Sequence, residues 1–126
     1  MAVVVGFVPT KEGAAALHRA AVEAAGRGTP LVVVDSVHDS DGEQTPDVRA
    51  ALEELAGRDV SYEVRSVPAG QDVTDELLRI AEEESADLLV IGLRRRSPVG
   101  KLILGANAQR ILLDAACPVL AVKPAE

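Results

Sequence analysis

Five of the chain's thirteen Lys and Arg residues fall within one stretch, Gly92–Arg110, GLRRRSPVGKLILGANAQR: Arg94, Arg95, Arg96, Lys101 and Arg110. No acid lies between Asp87 and Asp114, although the whole chain carries a net charge of −7. Gly92 and Gly105 bracket the loop, and a helix is expected to begin beside Gly105, with Ala106 and Asn107 in its first turn. A helix amino terminus offers free amides and partial positive charge, and glycine lets an anion approach the backbone. Arginines nearby add charge-assisted contacts to phosphate. The chemistry this pattern allows is anion or phosphate binding. A solvated basic loop that serves association or solubility accounts for the same charges equally well.

Other phosphate-binding patterns are absent. Gly100-Lys101 is followed by Leu102 where a P-loop carries Ser or Thr, and Arg95 stands where that motif has its first glycine. No GxGxxG follows the first strand. His18 and His38 have no His or Cys at metal-ligand spacing, so no metal site is expected. His38, Asp39 and Asp41 read as a solvated loop. No GxSxG elbow and no acid/base pair stand out, so no catalytic residue is assigned. The single cysteine, Cys117, excludes an internal disulfide and reads as a packing residue.

The elements that must hold the basic loop follow from apolar patterning. Ala2–Val8, Leu31–Val37 and Asp87–Ile91 are Val- and Leu-rich runs, as strands buried on both faces require. Val60–Val67 alternates, with Val60, Tyr62 and Val64 on one face, and reads as an edge strand. Pro118–Lys123 is the fifth strand. Helices are expected from Lys11 to about Ala25, capped by Thr10 and ended by Gly26 and Gly28. Three more are expected: from Pro46 to Gly57, with Thr45 as cap; after Asp72, with Val73, Leu77, Ile80 and Ala81 inward; and over Ala106–Ala116, with Ile111, Leu112 and Ala115 inward. Glu82–Glu84 reads as a solvated face with no specific role. The order βαβαβαβαβ with short connections implies one α/β domain, a five-stranded doubly wound parallel sheet covered on both faces. Ligands of such sheets bind beyond the carboxyl ends of the strands. The loops after strands one and four, Val8-Pro9-Thr10 and the basic stretch, would flank that crevice.

Composition bounds the function. A chain of 126 residues, 48% hydrophobic and with Phe7 and Tyr62 as its aromatics, builds an aliphatic core. It lacks the aromatic platforms of single-strand nucleic-acid binders, and its acidic balance opposes broad nucleic-acid binding. No apolar run approaches the roughly 20 residues that span a bilayer, and no signal pattern opens the sequence. The expectation is a cytoplasmic protein that binds neither nucleic acid nor membrane.

The stretch VIGLRRRSPVGKLILGANAQRILLDAACPVLAVKP resembles the C-terminal signature of the universal stress protein (UspA-type) family. VVVGFVPTKEG, LVVVDSV and SADLLVIG resemble its first, second and fourth strands. The resemblance spans the whole chain. It implies a Rossmann-like, adenine-nucleotide-hydrolase-like three-layer sandwich with strand order 3-2-1-4-5, and homodimers built through the last strand. It also implies a family with nucleotide-binding and non-binding branches. Binders share G-2x-G-9x-G-S/T around the phosphates and an Asp ending strand one. Here Gly92 and Gly105 match the first and third glycines, Arg95 replaces the second, and Ala106 replaces Ser/Thr. Val8 holds the Asp position, Pro9 that of the Gly after it, and Thr10 keeps a hydroxyl. With Val34, Arg94 and Asn107, these positions make the candidate nucleotide or anion site. Losing the Asp and the Ser/Thr hydroxyl removes ligand contacts of about 0.5–1.5 kcal/mol each. Arg95 puts a side chain where backbone would approach phosphate, while its charge offers phosphate another contact. Together the departures weigh against tight ATP binding.

Val119, Leu120, Ala121 and Val122 are apolar on both faces of what should be an edge strand, and pairing with a twin would cover that edge. Three readings remain open, in this order. The first is a dimeric stress-response protein acting through a protein partner or weak anion binding. The second is a sensor of ATP or AMP, with Mg where ATP binds and slow hydrolysis at most. The third is a hydrolase of a phosphorylated metabolite.

Overall fold

The computed structural model of the chain describes residues 1–8, 10–35, 50, 53, 60–68, 70–93 and 106–123. They form β1 (Val3–Phe7), α1 (Lys11–Arg27), β2 (Leu31–Asp35), β3 (Tyr62–Ser66), α2 (Val73–Glu83), β4 (Leu88–Gly92), α3 (Ala106–Asp114) and β5 (Val119–Val122). Residues 50 and 53, inside the helix expected over 46–57, are helical. The rest of that helix, its Thr45 cap and the loop with His38, Asp39 and Asp41 lie outside the described residues.

The five strands make one parallel sheet in the order β3-β2-β1-β4-β5. Side chains alternate across a strand, so each buried run feeds two cores. Val3, Val5 and Phe7 of β1, Leu31 and Val33 of β2, and Leu88 and Val90 of β4 pack under α1. Val4, Val32, Val34, Leu89 and Ile91 pack on the opposite face under Leu77, Ile80 and Ala81 of α2 and Ile111 of α3. The result is three layers. The alanines Ala16, Ala20, Ala21 and Ala24 form the buried stripe of α1 and seat it close to the sheet.

The ends of α1 are chemically specified. Thr10 is the N-cap, its hydroxyl accepting from Gly13 N at 3.2 Å. At the other end Gly28 adopts φ 66°, ψ 30°, the left-handed conformation that glycine tolerates, and Thr29 N donates to Ala24 O at 3.1 Å. Gly28 therefore ends the helix alone; Gly26 lies within it.

Several expectations are corrected. In α2 it is Thr74, 3% exposed, that turns inward, while Val73 is 37% exposed. The Asp72 carboxylate caps the helix, accepting from Thr74 N at 2.8 Å, and the phase this sets places residue 74 against the sheet. In α3 Ile111 is buried, but Leu112 is 40% exposed because that side of the helix looks away from the core. The glutamates ending α2 are not merely a solvated face. Glu83 and Glu84 pair with Arg65 on the edge strand at 3.1 and 3.8 Å, and Glu83 also holds Arg79. Such exposed pairs contribute little stability individually; here they tie α2 to β3. A hydrogen bond from Arg79 also holds the Glu76 carboxyl below its usual range.

β3 and β5 are the two sheet edges, as expected. Val60, just before β3, and Val64 within it pack on the first core, while Tyr62 stays exposed. On β5, Leu120 and Val122 lean on the first core, and Val119 and Ala121 on the second. Cys117, just before β5, is half-buried against the second core. Burial, helped by the charge of Asp87, pushes its thiol above the usual range. At pH 8 it should therefore react with an aromatic disulfide reagent more slowly than it does in the urea-unfolded chain. Equal rates in the two states would contradict this placement.

Candidate functional site

Parallel βαβ connections bring the carboxyl ends of the strands and the amino ends of the helices to one edge of the sheet. There a groove of about 190 Å³ opens. Gly6 and Val8 line it from β1 and its exit, Ile91 and Gly92 from β4, and Glu12 and Gly13 from the first turn of α1. Its other wall is Val73, Thr74 and Leu77 of α2 facing Asn107, Ala108 and Ile111 of α3. α1, α2 and α3 thus each present their amino ends to this space. Two of them already spend amides on their own caps, Thr10 for α1 and Asp72 for α2.

Close backbone approach builds the floor. A Cβ placed on Gly13 would lie 1.8 Å from the Val8 carbonyl oxygen, and one on Gly92 would lie 2.5 Å from that of Glu12. The first turn of α1 is therefore wedged between the ends of β1 and β4. Gly92, read in the sequence as a phosphate-loop glycine, has a packing reason of its own. The Val8 carbonyl also accepts from Thr10 N at 2.8 Å, which tightens the turn.

The structure brings Val8, Gly92 and Asn107 together in the groove. Thr10 is exposed and spends its hydroxyl as a helix cap. Ala106 is exposed at the start of α3. Val34 is fully buried in the second core and does not line the groove. Pro9, Arg94, Arg95 and Gly105, like Arg96 and Lys101, lie outside the described residues. Of the five cations in the basic stretch, the described one is Arg110, and its guanidinium is engaged by acids. It pairs with Asp75, with Asp72 at 3.6 Å and with Asp114 at 3.8 Å. Arg110 is thus a strap between the two helices that wall the groove.

Sequence reasoning missed Glu12, Gly13, Thr74 and Leu77. A glycine three residues after a helix cap was a readable signal, since glycine inside a helix pattern calls for a reason. Thr74 carried none, because apolar periodicity favoured its neighbour Val73. Among the described residues, no group of three His, Cys, Asp or Glu is placed to hold a metal ion. No helix among them is long and apolar enough to cross a membrane.

Comparison with known proteins gives a consistent picture. The model of the universal stress protein family matches residues 1–123. The chain is 42% identical over 127 residues to a universal stress protein of Mycolicibacterium smegmatis, covering 97% of each chain. A universal stress protein from Archaeoglobus fulgidus, solved in complex with dAMP, is 25% identical, with a TM-score of 0.74 over 98% of both chains. Another solved universal stress protein, in complex with cAMP, is 25% identical, with a TM-score of 0.73 over 99% of this chain and 98% of that one.

Proposed function

The chain belongs to the universal stress protein family, and from that premise we propose that its groove binds an adenine nucleotide, a monophosphate in preference to ATP. The observation that carries this reading is the groove itself, which sits where the carboxyl ends of β1 and β4 meet three helix amino termini. Two similar proteins were solved with the adenine monophosphates dAMP and cAMP. At about 190 Å³ the groove is smaller than the roughly 300–1,000 Å³ usual for drug-sized ligands, so it takes part of a nucleotide and leaves the rest outside. The family's usual acid is replaced by Val8, and Arg110 is neutralised by Asp72, Asp75 and Asp114. Both features reduce what is available to a triphosphate.

In this reading the protein works as a cytoplasmic homodimer. β5 is an open edge whose four residues are all half-buried. An apolar edge strand is an association hazard unless covered, and a second copy related by a two-fold axis covers both edges at once. The dimer then presents two nucleotide sites to a protein partner in the stress response.

Titration calorimetry of the purified protein with AMP and with ATP–Mg tests the nucleotide. We expect AMP to bind with a Kd on the order of 10–100 μM and ATP about tenfold more weakly. Light scattering on the same sample should return twice the chain mass at tens of micromolar. Tighter binding of ATP than of AMP would overturn the preference. No heat from either nucleotide up to millimolar concentration would leave the nucleotide-independent, partner-binding reading in its place. A monomer would overturn the β5 argument.

A further inference from the structure

We propose that Arg110, Asp72, Asp75 and Asp114 form an ionic clasp that keeps the amino end of α2 against α3, so that ionic strength sets how often the groove opens on that side. The clasp is a property of the free protein, whatever the groove binds. The Arg110 guanidinium pairs with Asp75, with Asp72 Oδ2 at 3.6 Å and, on its own helix, with Asp114 at 3.8 Å. Asp72 uses both oxygens of its carboxylate. Oδ1 caps α2, accepting from Thr74 N at 2.8 Å and from Asp75 N at 3.4 Å, while Oδ2 meets Arg110. The clasp therefore grips α2 at the residue that starts it. Val73, Thr74 and Leu77 of that helix and Asn107, Ala108 and Ile111 of α3 are the facing walls of the groove.

Different forces hold the two ends of this helix pair. Towards the carboxyl ends, Ile80 and Ala81 of α2, Ala86 beyond it, and Ala115 and Cys117 beyond α3 share one apolar cluster on the sheet. Apolar contact carries no charge for salt to screen. At the amino end Leu77 and Ile111 still pack beneath, but the outer contact is ionic and wet. The side chains of Arg110, Asp72, Asp75 and Asp114 are 40–59% exposed, and Val73 is 37% exposed. Exposed charges are screened strongly, because the Debye length falls from about 30 Å at 0.01 M salt to about 3 Å at 1 M. Salt therefore loosens the groove end of the pair and leaves the other end packed. Three carboxylates also outnumber the one guanidinium. Without Arg110 they would repel one another across the two helices, and salt would screen that repulsion instead.

Amide hydrogen exchange of the full chain, resolved by NMR at about 10 mM and about 500 mM NaCl, tests the clasp without any ligand. We expect the amides of residues 74–77 to exchange about three- to tenfold faster at the higher salt, and those of residues 80–83 to stay within about twofold. Arg110→Gln should exchange fast at residues 74–77 already at low salt, and added salt should not speed it further. Arg110→Lys keeps the charge but loses the planar fork, so it should keep a smaller salt response. The proposal fails if salt speeds both ends of α2 in the wild-type protein alike, or speeds neither; this arm needs no variant to fold. It fails equally if Arg110→Gln retains the wild-type salt response. Either failure leaves the nucleotide reading standing, since calorimetry tests that separately.

Discussion

Alanine at position 13 should destabilise the protein by more than about 3 kcal/mol, while alanine at position 26 of the same helix should stabilise it by about 0.5–1 kcal/mol. Helix propensity alone gives both changes the same favourable sign, because glycine in a helix interior costs up to about 1 kcal/mol relative to alanine. Packing separates them. A Cβ on Gly26 has nothing within 4 Å, and its φ is not in the left-handed region. A Cβ on Gly13 would sit 1.8 Å from the Val8 carbonyl oxygen and under 3 Å from two more backbone atoms of Val8. No side chain can swing aside there. Either the amino end of α1 lifts or the exit of β1 moves, and both line the groove. For a domain of this size each kcal/mol shifts Tm by roughly 3–5 °C. Thermal unfolding should therefore show Gly26→Ala a few degrees above wild type and Gly13→Ala at least about 10 °C below it. Equal Tm values for the two variants would mean that α1 does not wedge between β1 and β4 as described.

The same wedge marks how far the sequence could be read. The strands were legible because a strand buried on both faces needs an unbroken apolar run, and VVVGF, LVVVD and LLVIG supply it. Thr10 and Asp72 were legible as caps because a short oxygen-bearing side chain before an amphipathic stretch has few other uses. On α2, Leu77, Ile80 and Ala81 face inward as read, but the first inward position was placed one residue early. Val73 is the more apolar residue, but the phase of the helix is fixed by its cap and by Leu77, Ile80 and Ala81, and that phase buries Thr74. Leu112 misled in the same way: it is apolar, yet it lies off the stripe formed by Ala108, Ile111 and Ala115. Most of the groove lining was illegible for a different reason. Glu12, Gly13, Thr74 and Ala108 come from three helices that are distant in sequence, and only the parallel topology gathers their amino ends. Arg110 shows the converse. Its charge was visible, but its three acidic partners come partly from another helix, so its availability to an anion could not be judged from the chain alone.

Restoring the family's nucleotide pattern tests which of the departures matters and should give the largest gain of function. We expect the triple variant Val8→Asp, Arg95→Gly, Ala106→Ser to bind ATP more tightly than the wild-type protein by one to two powers of ten. Val8 lines the groove at the exit of β1, so a carboxylate there gains a route to ligand hydroxyls without crossing the core. Ala106 is exposed in the first turn of α3, where a serine hydroxyl can add a donor beside the helix amino end. Arg95→Gly restores the glycine of the pattern. Each contact contributes about 0.5–1.5 kcal/mol, so three sum to roughly 1.5–4.5 kcal/mol if they act independently. Neighbouring groups seldom do, which is why one to two powers of ten is expected and not three. Val8→Asp should also cost stability, because Val8 is half-buried and a carboxylate there is partly desolvated. Bound ATP should offset that loss by mass action, so the Tm of the triple variant should rise with ATP concentration more steeply than that of the wild-type protein. Calorimetry on the single variants then assigns the gain. If Val8→Asp alone recovers most of it, the missing acid is what sets this chain apart from the binding branch. If the gain comes from Arg95→Gly, the side chain at position 95 was obstructing the phosphates. A triple variant that binds ATP no better than the wild-type protein would show that these three departures are not what sets affinity in this groove.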